Sequence, residues 1–162
     1  MRTKNRILAG AGLALTAVAL TACSAAAAPS APAPASPSEQ EIAGLFTTWN
    51  TALATGDPQR VADLYAPDAV LLPTVSNQVR SDRAGIVDYF TKFLQDKPQG
   101  TINQEIVGVL DDNTAINTGV YTFDLTKNGQ PTQVKARYTY VYERIDGKWL
   151  IVNHHSSAMP EG

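Results

Sequence analysis

The sequence predicts an α+β domain, about three helices packed on a curved antiparallel sheet, set behind a leader and a tether. Three observations carry this. Apolar residues recur at helical spacing in three segments between Ser38 and Pro98. From Thr101 onward the chain becomes four long β-prone runs. Two of the separators between them, Asn128-Gly129 and Asp146-Gly147, suit a two-residue hairpin, whose type I′ turn needs positive φ at both central positions.

The chain opens with a basic head, Arg2, Lys4 and Arg6, and an apolar run from Ile7 to Leu20. The run is short for a membrane span, and its flanks are those of a secretory signal. It ends in Leu20-Thr21-Ala22-Cys23, which resembles the bacterial lipobox, where the cysteine is acylated and becomes the new first residue. Cys23 is the only cysteine in the 162 residues. An exported fold rarely keeps one unpaired thiol, so a lone cysteine at a cleavage site suits acylation. Residues 1–22 read as a lipoprotein signal peptide. Residues 23–37, rich in Ala, Pro and Ser, read as an extended tether that cannot bury a core. Residues 38–160 are the folded domain. The expected location is outside the cytoplasm, on a cell-membrane or outer-membrane lipid anchor facing the periplasm or the cell exterior.

Loss of the leader removes three basic residues and no acidic ones, leaving ten basic against fifteen acidic, so the net charge moves from -2 to -5. Such a chain, without Lys/Arg clusters, argues against nucleic acid as a partner and against electrostatic docking on anionic membranes. The membrane is reached through the lipid alone.

The first helix begins at a capping box, Ser38-Glu39-Gln40-Glu41, and carries Ile42, Leu45, Phe46, Trp49, Ala52 and Leu53 on one stripe before Gly56. Asp57-Pro58 starts a second, shorter helix as N-cap and first helical residue. Ala69 to Leu72 is a short buried strand. Ser81 or Asp82 caps a third helix with Ile86, Tyr89, Phe90, Phe93 and Leu94 on its apolar side, broken at Pro98-Gln99-Gly100. The strands are expected over Thr101–Leu110, Thr114–Thr126, Gln130–Ile145 and Lys148–Ser157.

The segment from Asp146-Gly147-Lys148-Trp149 to His154-His155-Ser156-Ser157, followed by Met159-Pro160, resembles the last hairpin of the calcium/calmodulin-dependent protein kinase II association domain. It is closer still to that domain's stand-alone bacterial relatives, the SgcJ/EcaC or SnoaL-like proteins. The helix with Trp49, the Gly56-Asp57 step and the second helix before Asp68 resemble the same family's amino-terminal half. The likeness spans about Glu39 to Pro160. It implies the cone-shaped nuclear-transport-factor-2-like fold, with a pocket in the cone and a homodimer interface on the sheet's other face. The chain has no glycine-rich loop, catalytic lysine or DFG, so kinase activity is not implied.

Counting back from two-residue turns gives a register. One row holds Asn117, Tyr140 and Asn153; the next holds Gly119, Tyr138 and His155 on the same face, with Tyr121 above. This face is expected to line the pocket, with Gly119 leaving space beside Tyr138 and His155. Trp49, Tyr65 and Tyr89 would close the cavity from the other side. The resemblance agrees, since the family's pocket arginine falls at Tyr140, where this chain has no charge. The opposite face carries Val120, Arg137, Leu150, Val152 and His154, the expected dimer face.

His154 and His155 point to opposite faces and cannot ligate one ion together, so no metal is expected. No cofactor is expected either, since no phosphate loop, nucleophile motif or paired catalytic carboxylates can be made out. His155 with Tyr138 or Tyr140 is the one candidate acid/base pair. The directions of Asp63, Asp68, Asp88 and Glu105 are not readable. Two functions follow. One is a non-catalytic binding and self-association module holding a small molecule or peptide. The other is an isomerase, hydratase or cyclase using the His155 pair.

Acylation at Cys23 is directly testable. Metabolic labelling with a fatty-acid analogue should mark the wild-type chain and fail on Cys23→Ala; label retained by the variant would refute the anchor.

Overall fold

The computed structural model describes residues 36–160; the leader, Cys23 and the tether as far as residue 35 lie outside them. Three α-helices, α1 (Glu39–Ala54), α2 (Pro58–Ala62) and α3 (Arg83–Phe93), pack on a five-stranded sheet. Its strands are β1 (Tyr65–Leu72), β2 (Gln99–Val109), β3 (Thr114–Lys127), β4 (Gln130–Ile145) and β5 (Lys148–Ala158), in the order β1-β5-β4-β3-β2.

The caps are those the sequence calls for, with one change. The Ser38 side chain accepts from the Glu41 N–H at 3.1 Å, and Asp57 and Asp82 cap α2 and α3. The return half of the capping box is not made. Glu41 Oε1 instead accepts from Trp149 Nε1 at 2.9 Å and from Arg144 at 3.3 Å, with the guanidinium stacked 4.8 Å from the indole centre. Glu41 thus ties the start of α1 to the β4–β5 hairpin. α1 buries Ile42, Phe46, Trp49 and Leu53, and α3 buries Ile86, Tyr89, Phe90 and Phe93. These stripes face Tyr121, Phe123, Tyr138, Tyr140 and Tyr142 on the sheet.

Both hairpins turn as expected: Asn128 and Gly129 have φ of 50° and 78°, and Asp146 and Gly147 have 49° and 77°. A single 3-10 turn, Leu94–Asp96, ends α3, and β2 begins two residues earlier than expected. Asn50 holds that start by a reciprocal pair with Gly100, 2.9 Å in each direction. The sheet is not wholly antiparallel. β1 starts at Tyr65, well before Ala69, and runs parallel to β5 along its far edge. Local pattern does not encode such a pairing, because both faces and both directions of a short strand look alike.

The register of β3 on β4 is the one counted from the turn, with Asn117 opposite Tyr140 and Gly119 opposite Tyr138. Two bulges change what lies beside them. In β5, Ile151 faces Tyr142 but Asn153 faces Val141, so Val152 is one residue too many. The register with β1 is irregular at the same place, and the Ile151 N–H bonds Leu64 at 2.9 Å. Beyond the bulge every side chain of β5 is on the face opposite to the expected one. His154 sits opposite Tyr140 and is buried; His155 sits opposite Thr139 and is exposed.

The second bulge, at Asn103 in β2, corrects the reading of Gly119. A Cβ there would lie 1.9 Å from the Gln104 carbonyl oxygen. The glycine admits the neighbouring backbone rather than a ligand, the other common reason for glycine in a strand. Gly119→Ala should therefore destabilise the fold by about 2–3 kcal/mol in urea unfolding, as for overpacking at a site that cannot relax. Gly44→Ala, in α1 with nothing within 4 Å of the added methyl, should stabilise it by about 0.5–1 kcal/mol.

Candidate functional site

The inner side of the cone is mostly filled. Tyr121 and Tyr138 stack with centroids 4.7 Å apart, and Tyr140 and Tyr142 continue the row at 5.7 Å. Trp49 meets Phe90, Phe123 and Tyr140 edge-on. Seven of the expected pocket residues, Trp49, Tyr65, Tyr89, Asn117, Tyr121, Tyr138 and Tyr140, are buried on this side. Asn153 and His155 are not with them, and Gly119 opens no space.

The residue that replaces His155 is His154. Its ring stacks on Tyr140 at 4.0 Å and meets Trp49 edge-on at 5.5 Å. Its Nδ1 lies 2.9 Å from Tyr65 Oη, which also accepts from Trp49 Nε1 at 3.1 Å. Its Nε2 lies 3.4 Å from Tyr121 Oη, and Tyr121 donates to Ser156 Oγ at 2.6 Å. Ser156 in turn bonds Thr74. Burial, with a smaller contribution from the charge of His155, lowers the His154 pKa to about 3, so the ring is neutral. Burial likewise pushes the phenols of Tyr65, Tyr121 and Tyr140 up.

Ser156 and Thr74 stand at the edge of a cavity of about 30 Å³, walled by Trp49, Tyr89, Phe90, Phe93 and Phe123. Leu125 and Val134 place it toward the Asn128-Gly129 end of the sheet. Among the described residues neither a carboxylate nor a cation lines it. Tyr138 belongs to a separate pair of bonds: its hydroxyl donates to Asn117 Oδ1 at 2.9 Å, and Asn117 Nδ2 donates to Glu105 at 2.8 Å. The expected acid/base pair of His155 with Tyr138 or Tyr140 is therefore not assembled. Asp63 pairs with Arg83, and Asp88 with Arg80 and Lys92.

On the other face, Val120 lies opposite Arg137 as expected, but Ser157 rather than Ser156 completes the row. A shallow depression of about 480 Å³ there is bordered by Ile106, Thr118, Val120, Arg137, Thr139 and His155, among others. Leu150 and Val152 are half-buried against the core, and His154 is absent from this face altogether.

Residues 38–160 match the family model of the calcium/calmodulin dependent protein kinase II association domain. The chain belongs to that family. A Xanthomonas campestris protein assigned to the same association domain is 62% identical, with a TM-score of 0.76, over 82% of this chain and 95% of its own. The Chlamydomonas reinhardtii CamKII hub homology domain is 21% identical, with a TM-score of 0.64, over 75% of this chain and 98% of its own. A Streptomyces avermitilis protein assigned as a dehydratase of the NTF2-like family is 16% identical, with a TM-score of 0.67, over 75% and 97%. No curated protein matches. The last two likenesses carry the fold alone, and they make the association-domain chain a nuclear-transport-factor-2-like α+β cone. The His154-His155 doublet was the signal in the sequence; which of the two turns inward depends on one extra residue in β5.

His154 couples stability to pH. Above its ordinary value of 6.5 the ring is neutral in folded and unfolded chains alike. As pH falls below 6.5, the unfolded chain takes up a proton that the folded chain refuses until about pH 3, so stability is lost through this window. The slope from this one group reaches about 1.4 kcal/mol per pH unit. Urea unfolding between pH 6.5 and about 5 should show this slope in the wild type and lose it in His154→Phe; equal slopes would contradict a neutral buried ring.

Proposed function

We propose that the protein is an exported, lipid-anchored, non-catalytic module that associates with copies of itself and holds a small molecule or a peptide end at the mouth of its cone. One observation favours binding over catalysis. The buried histidine has both ring nitrogens engaged and a pKa near 3, far below what a general base working near neutrality needs. No carboxylate lines the cavity to take that role instead. The isomerase, hydratase or cyclase reading rested on His155, which stands on the outer face.

Support for self-association comes from the family and from the outer face of the sheet. The chain belongs to a family of association domains, and among its structural neighbours is a hub homology domain. Ile106 is 58% exposed there, beside half-buried Val120 and Val141. Apolar side chains on a broad, shallow face around Arg137 suit a second copy of the same surface. The lipobox supports the anchor and the export. Ser36 bonds Asp112, so the tether joins the domain at the end of β3 opposite to the cavity.

The chain from residue 23, with Cys23→Ser, should scatter light as a dimer or larger assembly at micromolar concentration. Val120→Glu should shift it toward monomer, since it buries a charge in the contact. A strict monomer in the wild type would overturn self-association.

A further inference from the structure

The hydrogen bonds around His154 form a single open file: Trp49, Tyr65, His154, Tyr121, Ser156, Thr74. Each member carries one hydrogen that can be donated, given a neutral imidazole, so six hydrogens serve five contacts. One hydrogen is left over, and the file's direction decides where.

Trp49 can only donate, so Tyr65 Oη must accept from it. If Tyr65 passes its own hydrogen to Nδ1, the imidazole carries Nε2–H, which goes to Tyr121; Tyr121 donates to Ser156, and the surplus falls on Ser156 or Thr74. If instead His154 carries Nδ1–H, Tyr65 Oη accepts twice and its own hydrogen is the surplus. Tyr65 is 5% exposed, and its hydroxyl has no other partner among the described residues. An unmet buried donor is strongly disfavoured, whereas Ser156 and Thr74 both line the cavity. The file therefore runs outward and ends in a free O–H at the cavity.

We propose that the cavity is a site for small neutral compounds bearing a hydrogen-bond acceptor, a ketone, ester or lactone carbonyl, taken by the hydroxyl pair Thr74–Ser156. This rests on the binding reading above and names the ligand class for the same site. The wall is apolar and offers no cation to a carboxylate, so a charged acceptor would be buried without compensation. A donor group could reach only a spare hydroxyl lone pair and would leave the surplus hydrogen unmet. The space of about 30 Å³ takes only the carbonyl end. Val75, Tyr89 and Phe93 also border an open depression of about 320 Å³ that Arg80, Lys92, Asp96 and Lys127 line as well, so neutrality is required only of the end inside the cavity.

Two measurements on the mature chain with Cys23→Ser test this. Nitrogen-15 NMR of His154 should show the hydrogen on Nε2; finding it on Nδ1 overturns the proposal whatever binds. Cyclopentanone and its isostere methylenecyclopentane, titrated while watching Val75, Tyr89 and Phe93 resonances, should differ about fivefold in favour of the ketone, the worth of one hydrogen bond. The difference should vanish in the double variant Thr74→Val, Ser156→Ala. Equal affinities in the wild type would remove the carbonyl preference and leave the cavity as a binding site. Failure of both probes to bind would overturn the proposal and the binding reading together.

Discussion

The interior of this domain depends on the extra residue at Val152. Side chains of a strand alternate between faces, so one inserted residue inverts all those that follow it. His154 and Ser156 turn into the cone because of it, and Asn153, His155 and Ser157 turn out. The Ile151 N–H bonds the Leu64 carbonyl just ahead of β1, so the bulge is held from the edge of the sheet as well as from β4. Without it, the buried hydroxyls of Tyr65 and Tyr121 would lose the ring that joins them, and Ser156 would leave the cavity.

Around that bulge the core is built as an aromatic solid with a polar thread through His154, apart from the Tyr138–Asn117 pair. Edge-on and offset ring contacts fill the cone from Trp49 to Tyr142 and account for its small residual volume. The thread is fully paired along its buried length. The hydroxyls of Tyr140 and Tyr142, by contrast, are buried without a partner among the described residues. They stay protonated because burial disfavours the phenolate, and their rings contribute stacking that Phe would also supply. The polar chemistry of the cone therefore lies in two sets, His154 with its neighbours and the Tyr138–Asn117–Glu105 bonds.

How much of this was legible in the sequence follows from the range of each interaction. Caps, hairpin turns and the span of each long strand are set by residues within a few positions of one another, and Ser38, Asp57, Asn128-Gly129 and Asp146-Gly147 all behave as their chemistry dictates. The β3–β4 register follows from a turn of fixed length, which is why Asn117 and Tyr140 meet. The β5 register fails at Val152 because a bulge that uses no glycine leaves no mark in composition. Gly119 shows a different limit: a strand glycine announces either vacant space or a close backbone, and only the path of β2 decides between them. β1 was missed in length and direction because its pairing with β5 spans most of the chain.

The placement of Tyr140 also bears on what the cone can hold. The resemblance places the family's pocket arginine at this position, and here the Tyr140 ring stacks directly on His154 at 4.0 Å. A cation there would be buried beside a neutral imidazole, with no counter-charge to offset its desolvation. Tyr140 and the neutral His154 stacked on it give this part of the cone an uncharged wall. Inside the cavity an anionic group therefore finds no counter-ion, while a neutral one needs none. The remaining specificity then lies in hydrogen-bond direction, which Trp49 sets from the far end of the file because it can only donate.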